Sequence, residues 1–224
     1  MKDLQKQLAH EFQNSELLEL AFIHRSFVNE NRDCLESNER LEFLGDAVLE
    51  LITTEFLFAE FPEKPEGELT ALRSALVRGD TLAEISAELN FGKHLKLSRG
   101  EAKSGGAEKP YLLANVFEAV LGAVYLDGGF EKAKVIVHKF LLPKLPQIIA
   151  QNLQVDAKSE FQELAQSKLA ITPEYKVLAD SGPDHDKIFE MGAFVGKELF
   201  GRGKGGSKQD AEQAAAAEAV KKLK

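Results

Sequence analysis

Residues Asn38 to Glu60 run without a proline or any cluster of turn residues, and Phe61-Pro62 closes the run. Acids stand at Glu39, Glu42 and Asp46, three and then four residues apart. At about 100° per residue they share one sector of a helix. Leu41, Leu44, Val48, Leu51 and Ile52 gather on the roughly opposite side. The pattern predicts a long helix that packs a core with one face and presents acids on the other. Carboxylates this close repel, and at least one resists ionising unless a cation neutralises them. Hard divalent cations such as Mg²⁺ bind oxygen-only clusters of this kind. The spacing alone also fits a solvated charged face.

A chain of 224 residues with 44% hydrophobic content can bury a substantial core, in one large domain or two small ones. Its net charge of −8 argues against nucleic-acid binding on global balance. The single cysteine, Cys34, excludes an internal disulfide and a multi-cysteine metal site, and it fits a reducing, cytoplasmic location. The opening MKDLQKQLAHEFQ lacks the apolar run of a secretory signal. The longest apolar stretch, about AVLGAVYL, is short for a membrane span, so no membrane association is expected.

Residues 1 to about 150 read as successive helices. Ser15 is placed to cap SELLELAFIHRSFVNE, read as one amphipathic segment. EGELTALRSALVRG forms a further helix, and Asp80 is placed to cap DTLAEISAELN. SRGEAKSGGAEK reads as a polar loop. The next helix, from about Pro110 to Leu126, carries Asn115 and Glu118 on one face. Its small residues Ala119, Gly122 and Ala123 admit close approach of a neighbour, and Asp127-Gly128-Gly129 ends it. FEKAKVIVHKFLLPKL reads as one last helix, with Gln147–Val155 as a linker. Beyond it the pattern becomes helix, three strands, helix. Phe161, Leu164 and Leu169 are the expected anchors of the first helix, and Tyr175, Val177 and Ala179 alternate along the first strand.

If the two acid-bearing helices pack across small residues, Glu39, Glu42, Asp46, Asn115 and Glu118 converge. An oxygen-ligated Mg²⁺ there suits phosphodiester hydrolysis.

The stretch NERLEFLGDAVL at Asn38–Leu49 resembles the signature of ribonuclease III, a family of Mg²⁺-dependent endonucleases of double-stranded RNA. HRSF at His24–Phe27, EGELTALRSALVRG at Glu66–Gly79 and LANVFEAVLGAVYLDGG at Leu113–Gly129 resemble further blocks of that family, in family order. The resemblance implies an all-α nuclease domain over residues 1–150 and a small α+β double-stranded-RNA-binding domain, α-β-β-β-α, over 155–224. It implies that Glu42, Asp46, Asn115 and Glu118 bind the metal, with Asp46 and Glu118 central to catalysis. Glu39 and Glu66 match auxiliary acidic positions. Many members carry Asp where this chain has Asn115, so one negative charge is missing and weaker Mg²⁺ affinity is expected; Mn²⁺ is the expected substitute ion. Phe43 matches a position that packs into a partner subunit, which implies a homodimer with two acidic sites. Duplex cleavage would leave 5′-phosphate and 3′-hydroxyl ends with short 3′ overhangs, on ribosomal-RNA precursors and structured messenger RNAs.

Within the C-terminal region, Gln162 and Gln166 match minor-groove contacts on the first helix, and His185 matches a strand-loop contact. Lys204 and Lys208 lie in GRGKGGSKQDAEQ, which resembles the phosphate-holding loop and helix start. The region from Val155 holds 11 Lys or Arg against 12 Asp or Glu, so its basic character is local. Lys197, Arg202, Lys204 and Lys208 are opposed before the last helix only by Glu198, and Gln209 replaces a lysine common in the family. A modest, salt-sensitive phosphate anchor is expected. His24 is expected to serve a structural hydrogen bond. The competing function is a double-stranded-RNA-binding protein that cuts weakly or not at all.

Overall fold

The computed structural model describes residues 1–31, 33–150, 157–182 and 187–224. The chain divides into two compact units, Met1–Gln154 and Val155–Lys224. The described part of the first unit is built of helices: α1 (Lys2–Leu8), α2 (Ser15–Ala21), α3 (Arg25–Glu30), α4 (Glu39–Glu60), α5 (Glu66–Val77), α6 (Gly79–Glu88), α7 (Arg99–Lys103), α8 (Pro110–Gly128), α9 (Phe130–Ile136) and α10 (Leu145–Ala150). The second unit runs α11 (Ala157–Leu169), β1 (Glu174–Ser181), β2 (Ile188–Val195), β3 (Glu198–Gly205) and α12 (Lys208–Leu223).

Helix α8 is the axis of the first unit. It is long and apolar enough to cross a membrane by length and composition, but 61% of that stretch is buried inside the protein. Its Leu112, Val116, Phe117, Val120, Leu121 and Val124 pack against α2, α4, α6 and α9. Full burial of each such side chain contributes about 1.5–3 kcal/mol. Asp127, near its C-terminal end, accepts hydrogen bonds from the backbone N–H of Gln13 (3.0 Å) and Asn14 (2.8 Å), and His10 Nε2 lies 2.8 Å from the same carboxylate. The N-terminal turn is thereby tied to the far end of α8.

Several local expectations change. The 15–30 segment is two helices, because Ile23 between them forms a parallel bridge with Lys96: His24 N–H donates to Lys96 O (3.1 Å) and Lys96 N–H to Phe22 O (2.8 Å). Asn14, not Ser15, caps α2, its side chain accepting from Glu16 N–H at 3.0 Å. Asp80 lies inside the first turn of α6, which begins at Gly79. The polar loop contains α7, capped by Ser98. The helix after Gly129 passes through a π turn at Val137–Leu141 and a 3₁₀ turn at Leu142–Lys144, where Pro143 interrupts the α pattern, before α10 begins. Leu51, expected in the core, is 57% exposed, and Leu49 and Leu57 are buried instead. Leu51 shares an outward stripe of α4 with Phe43 (81% exposed) and Phe58 (74%); at helical spacing the three lie within about 80° of one another.

The second unit is an antiparallel sheet of order β1-β2-β3, with α11 and α12 packed against it. Gly201, Gly203 and Gly205 of β3 face α12, where a Cβ on each would strike the helix around Ala211, Ala215 and Ala219. The alanine run is therefore a packing surface as well as a strong helix former. Phe161 anchors α11, with Ala157 and Ala165 buried beside it, whereas Leu169 is exposed. The alternation expected in β1 is not a burial pattern. Val177 is exposed, and a bulge between Val177 and Ala179 shifts the register.

Candidate active site

Helix α4 starts where it does because Asn38 is pinned. Its buried amide donates to Ala21 O (3.1 Å) and its backbone N–H to Ile23 O (2.8 Å). From that fixed start, Glu39, Glu42 and Asp46 follow at helical spacing. The opposing residues, Asn115 and Glu118, come from α8. The two helices meet backbone to backbone: a Cβ at Gly45 would collide with the carbonyl of Glu118, and one at Gly122 with the carbonyl of Leu41. Gly122 is one of the small residues that predicted close approach. Gly45, inside the signature stretch, is its counterpart on α4 and was not anticipated.

This contact brings the acids of the two helices together. Burial pushes the Glu118 carboxyl up, and the charges of Asp46 and then Glu42 push the same way, to about 8. Glu42 is also raised, by burial first, then by Glu39 and further by Asp46, against a hydrogen bond from the Asn115 side chain that lowers it. Neighbouring carboxyls that resist ionising are what partial burial and crowding of like charges produce. Glu39, Glu42 and Asn115 line a cleft of about 430 Å³ together with Arg25 and Asn29. Asp46 and Glu118 sit one turn further along their helices.

Glu39 occupies the rim. Its Oε1 accepts from Arg25 Nη1 at 3.3 Å and its Oε2 from Ser37 Oγ at 2.8 Å. His24 caps α3, its Nδ1 accepting from Ser26 N–H at 3.2 Å, which is the structural role expected of it. Glu66 stands apart at the start of α5, where its carboxylate accepts from Thr70 Oγ1 (3.0 Å); it is not among the charges that shift Glu42 or Glu118.

The donors are carboxylate and amide oxygens, which suit a hard divalent cation and not a soft one. Among the described residues, no three His, Cys, Asp or Glu side chains are gathered tightly enough to hold an ion.

In the second unit, Gln162 and Gln166 are exposed on α11, and Gln166 Nε2 donates to Thr172 Oγ1 at 3.2 Å. Lys208 Nζ lies over the Phe189 ring, 5.8 Å from its centroid. The cations of β3 have more acidic company than the sequence count suggested. Glu190, on β2, is directly opposite Lys204, and its carboxylate is 3.5 Å from both Arg202 and Lys204. His185 lies outside the described residues.

Residues 14–145 match the family described as Ribonuclease-III-like, and residues 157–223 match the double-stranded RNA binding motif. Ribonuclease 3 of Bdellovibrio bacteriovorus is 43% identical over 220 residues, covering 98% of this chain and 94% of the relative. Ribonuclease 3 of Listeria monocytogenes is 41% identical over 223 residues, covering 99% and 97%. Among solved structures, the nuclease domain of ribonuclease III from Campylobacter jejuni superimposes with a TM-score of 0.60 at 42% identity, over 66% of this chain and 97% of that domain. A second structure of that domain, at TM-score 0.59 and 42% identity, covers 64% of this chain and 96% of its own, and is described for flexibility in a region involved in dimer formation.

Proposed function

Because the chain belongs to the ribonuclease III family and is an endoribonuclease of double-stranded RNA, we propose that its cleft on α4 and α8 cuts the duplex in a Mg²⁺-dependent reaction. The products are 5′-phosphate and 3′-hydroxyl ends with short 3′ overhangs. The observation that carries this reading is the shared electrostatic strain of Glu42 and Glu118, which come from helices locked together at Gly45 and Gly122.

Glu42, Asp46, Asn115 and Glu118 are the residues that would hold the ion. Bound Mg²⁺ supplies an activated water and neutralises charge on a phosphoryl oxygen. Mn²⁺, with similar oxygen preferences, is the expected substitute. Glu118, with its carboxyl raised to about 8, keeps its proton at neutral pH in the free protein and must release it to act as a ligand. Asp46 is the neighbouring charge that most disfavours ionisation of Glu118, so the two act as a pair at the centre of the site. Asn115 keeps an amide oxygen available and steadies Glu42 by hydrogen bonding. Glu39 supports the rim, and Glu66 remains an outlying acid with a subordinate role.

The second unit supplies duplex affinity. Gln162 and Gln166 are suited to minor-groove 2′-hydroxyls, and Lys204 and Lys208 to phosphates; His185 is assigned the same kind of contact. The outward apolar stripe of Phe43, Leu51 and Phe58 supports a homodimer in which a second copy covers it, giving one cleft per strand. Ribosomal-RNA precursors and structured messenger RNAs in the cytoplasm are the proposed substrates.

The deciding experiment incubates the purified chain with a long RNA duplex over a Mg²⁺ series and maps the product ends. Short duplexes with 5′-phosphates on both strands, formed only with the ion, are expected. Duplex that is bound yet intact at every Mg²⁺ concentration would instead establish the non-cutting binder.

A further inference from the structure

Among the described residues, the cleft wall contains one Lys or Arg, a charge opposite to that of the acids around it. Arg25 is the first residue of α3 and lines the same cavity as Glu39, Glu42, Asn29 and Asn115. Its position is fixed from beneath. His24 Nδ1 and Ser26 Oγ lie 2.8 Å apart, and the same hydroxyl accepts from Ser98 N–H at 3.0 Å, so the start of α3 is tied to the chain before α7. The side chain itself is 70% exposed and, among the described residues, makes one polar contact, Nη1 to Glu39 Oε1 at 3.3 Å; the Glu39 side chain is 53% exposed. A pair this exposed adds little to folding stability.

The chemistry of the cleft gives this arrangement a use. A duplex entering it brings phosphates toward Glu39, Glu42, Asp46 and Glu118, all acids. A guanidinium carries five N–H donors in a planar fork, and a single long contact with Glu39 leaves most of them open. That fork matches two phosphate oxygens at once. Glu39 holds the guanidinium at the rim from one side, and its own second oxygen is fixed by Ser37.

Building on the duplex-cutting reading, we infer that Arg25 is a substrate-binding residue of the cleft: it takes a backbone phosphate of the RNA with its open edge while Glu39 steadies the other. Glu39 is thereby a positioning residue for Arg25. Binding of this kind is independent of base sequence and depends on salt, because each phosphate neutralised releases counterions.

The test compares wild type, Arg25→Ala, Arg25→Lys and Glu39→Gln on one RNA duplex at saturating Mg²⁺, with KM and kcat measured across a salt series. The same proteins are titrated with the duplex in Ca²⁺ to read binding without relying on turnover. Arg25→Ala is expected to raise KM about tenfold, to leave kcat within about twofold, and to flatten the slope of log affinity against log salt by about one. Arg25→Lys is expected to restore the slope but only part of the KM, since the point charge survives and the fork does not. Glu39→Gln is expected to raise KM by a smaller factor with the slope kept. Unchanged KM and slope in Arg25→Ala would overturn the inference, as would a fall in kcat alone. A wild type that binds but never cuts would sink the nuclease reading, and Arg25 would then stand or fall on the slopes in Ca²⁺.

Discussion

Replacing Glu118 with glutamine should stabilise the protein at alkaline pH while removing its cleavage activity. In the folded chain the Glu118 carboxyl is raised from 4.5 to about 8, by burial first and then by Asp46 and Glu42. The folded state thus holds a proton that the unfolded chain has already released between about pH 4.5 and 8. Stability is accordingly full below pH 4.5 and declines as pH rises through that window. Each pH unit is worth about 1.4 kcal/mol, which sets a ceiling of about 5 kcal/mol. Partial contact of the carboxyl with water screens this to about 1–2 kcal/mol. A glutamine amide at this position has no proton to lose, so the Glu118→Gln variant should lack the decline. Chemical denaturation in EDTA at steps from about pH 4.5 to 9 reads the difference. The two proteins should match at the acid end, and E118Q should be more stable by about 1–2 kcal/mol at the alkaline end. For a unit of roughly 150 residues that corresponds to a melting-temperature gain of about 3–6 °C. Duplex binding should be nearly unchanged. A difference that stays flat with pH, or a variant that is weaker at the alkaline end, would refute the account of Glu118 as a carboxyl strained by its neighbours; retained cleavage would remove it from the centre of the site.

Other outcomes follow from the same geometry. Asn115→Asp adds a charge and removes the amide donor that steadies Glu42, so cleavage should persist at a lower Mg²⁺ concentration; a higher requirement in a Mg²⁺ titration would contradict the charge argument. Gly122→Ala places a methyl group against the carbonyl of Leu41 and should cost about 1–3 kcal/mol in denaturant unfolding, with a large loss of kcat. Wild-type stability and turnover in that variant would show that α4 and α8 separate easily. Phe43→Asp puts a charge in the exposed apolar stripe, and sedimentation should show two chains becoming one; an unaltered mass would move the dimer contact elsewhere.

The shared helical faces were legible because periodicity is a local rule: the spacing of Glu39, Glu42 and Asp46 puts them on one side of their helix, as that of Asn115 and Glu118 does on theirs. Their meeting was legible in part, through Gly122. Gly45 shows why only in part, since a glycine inside a helix looks like a weakness until the neighbour that needs the space is known. Features that depend on distant partners were hidden. The break between α2 and α3 arises from pairing with Lys96, far along the chain. Leu51 satisfied the amphipathic pattern, yet α4 carries two apolar faces, one inward and one outward. Glu190, which offsets Arg202 and Lys204, comes from a different strand, so a count along β3 could not include it. The change from helices to a helix-strand-helix pattern near residue 150 was plain, whereas the edge exposure of β1 followed from its bulge and its place in the sheet.

The main-chain contact between α4 and α8 has a bearing on how this catalyst tolerates change. With no side chains interposed at Gly45 and Gly122, the spacing of the two helices there is set by backbone van der Waals contact, insulated from drift in the surrounding hydrophobic residues. Substitutions that merely soften the interior can lower the melting point while every surviving folded molecule keeps a correctly spaced set of oxygens. Outside the oxygen-bearing side chains themselves, loss of function by mutation should therefore be most severe at two glycines that perform no chemistry at all.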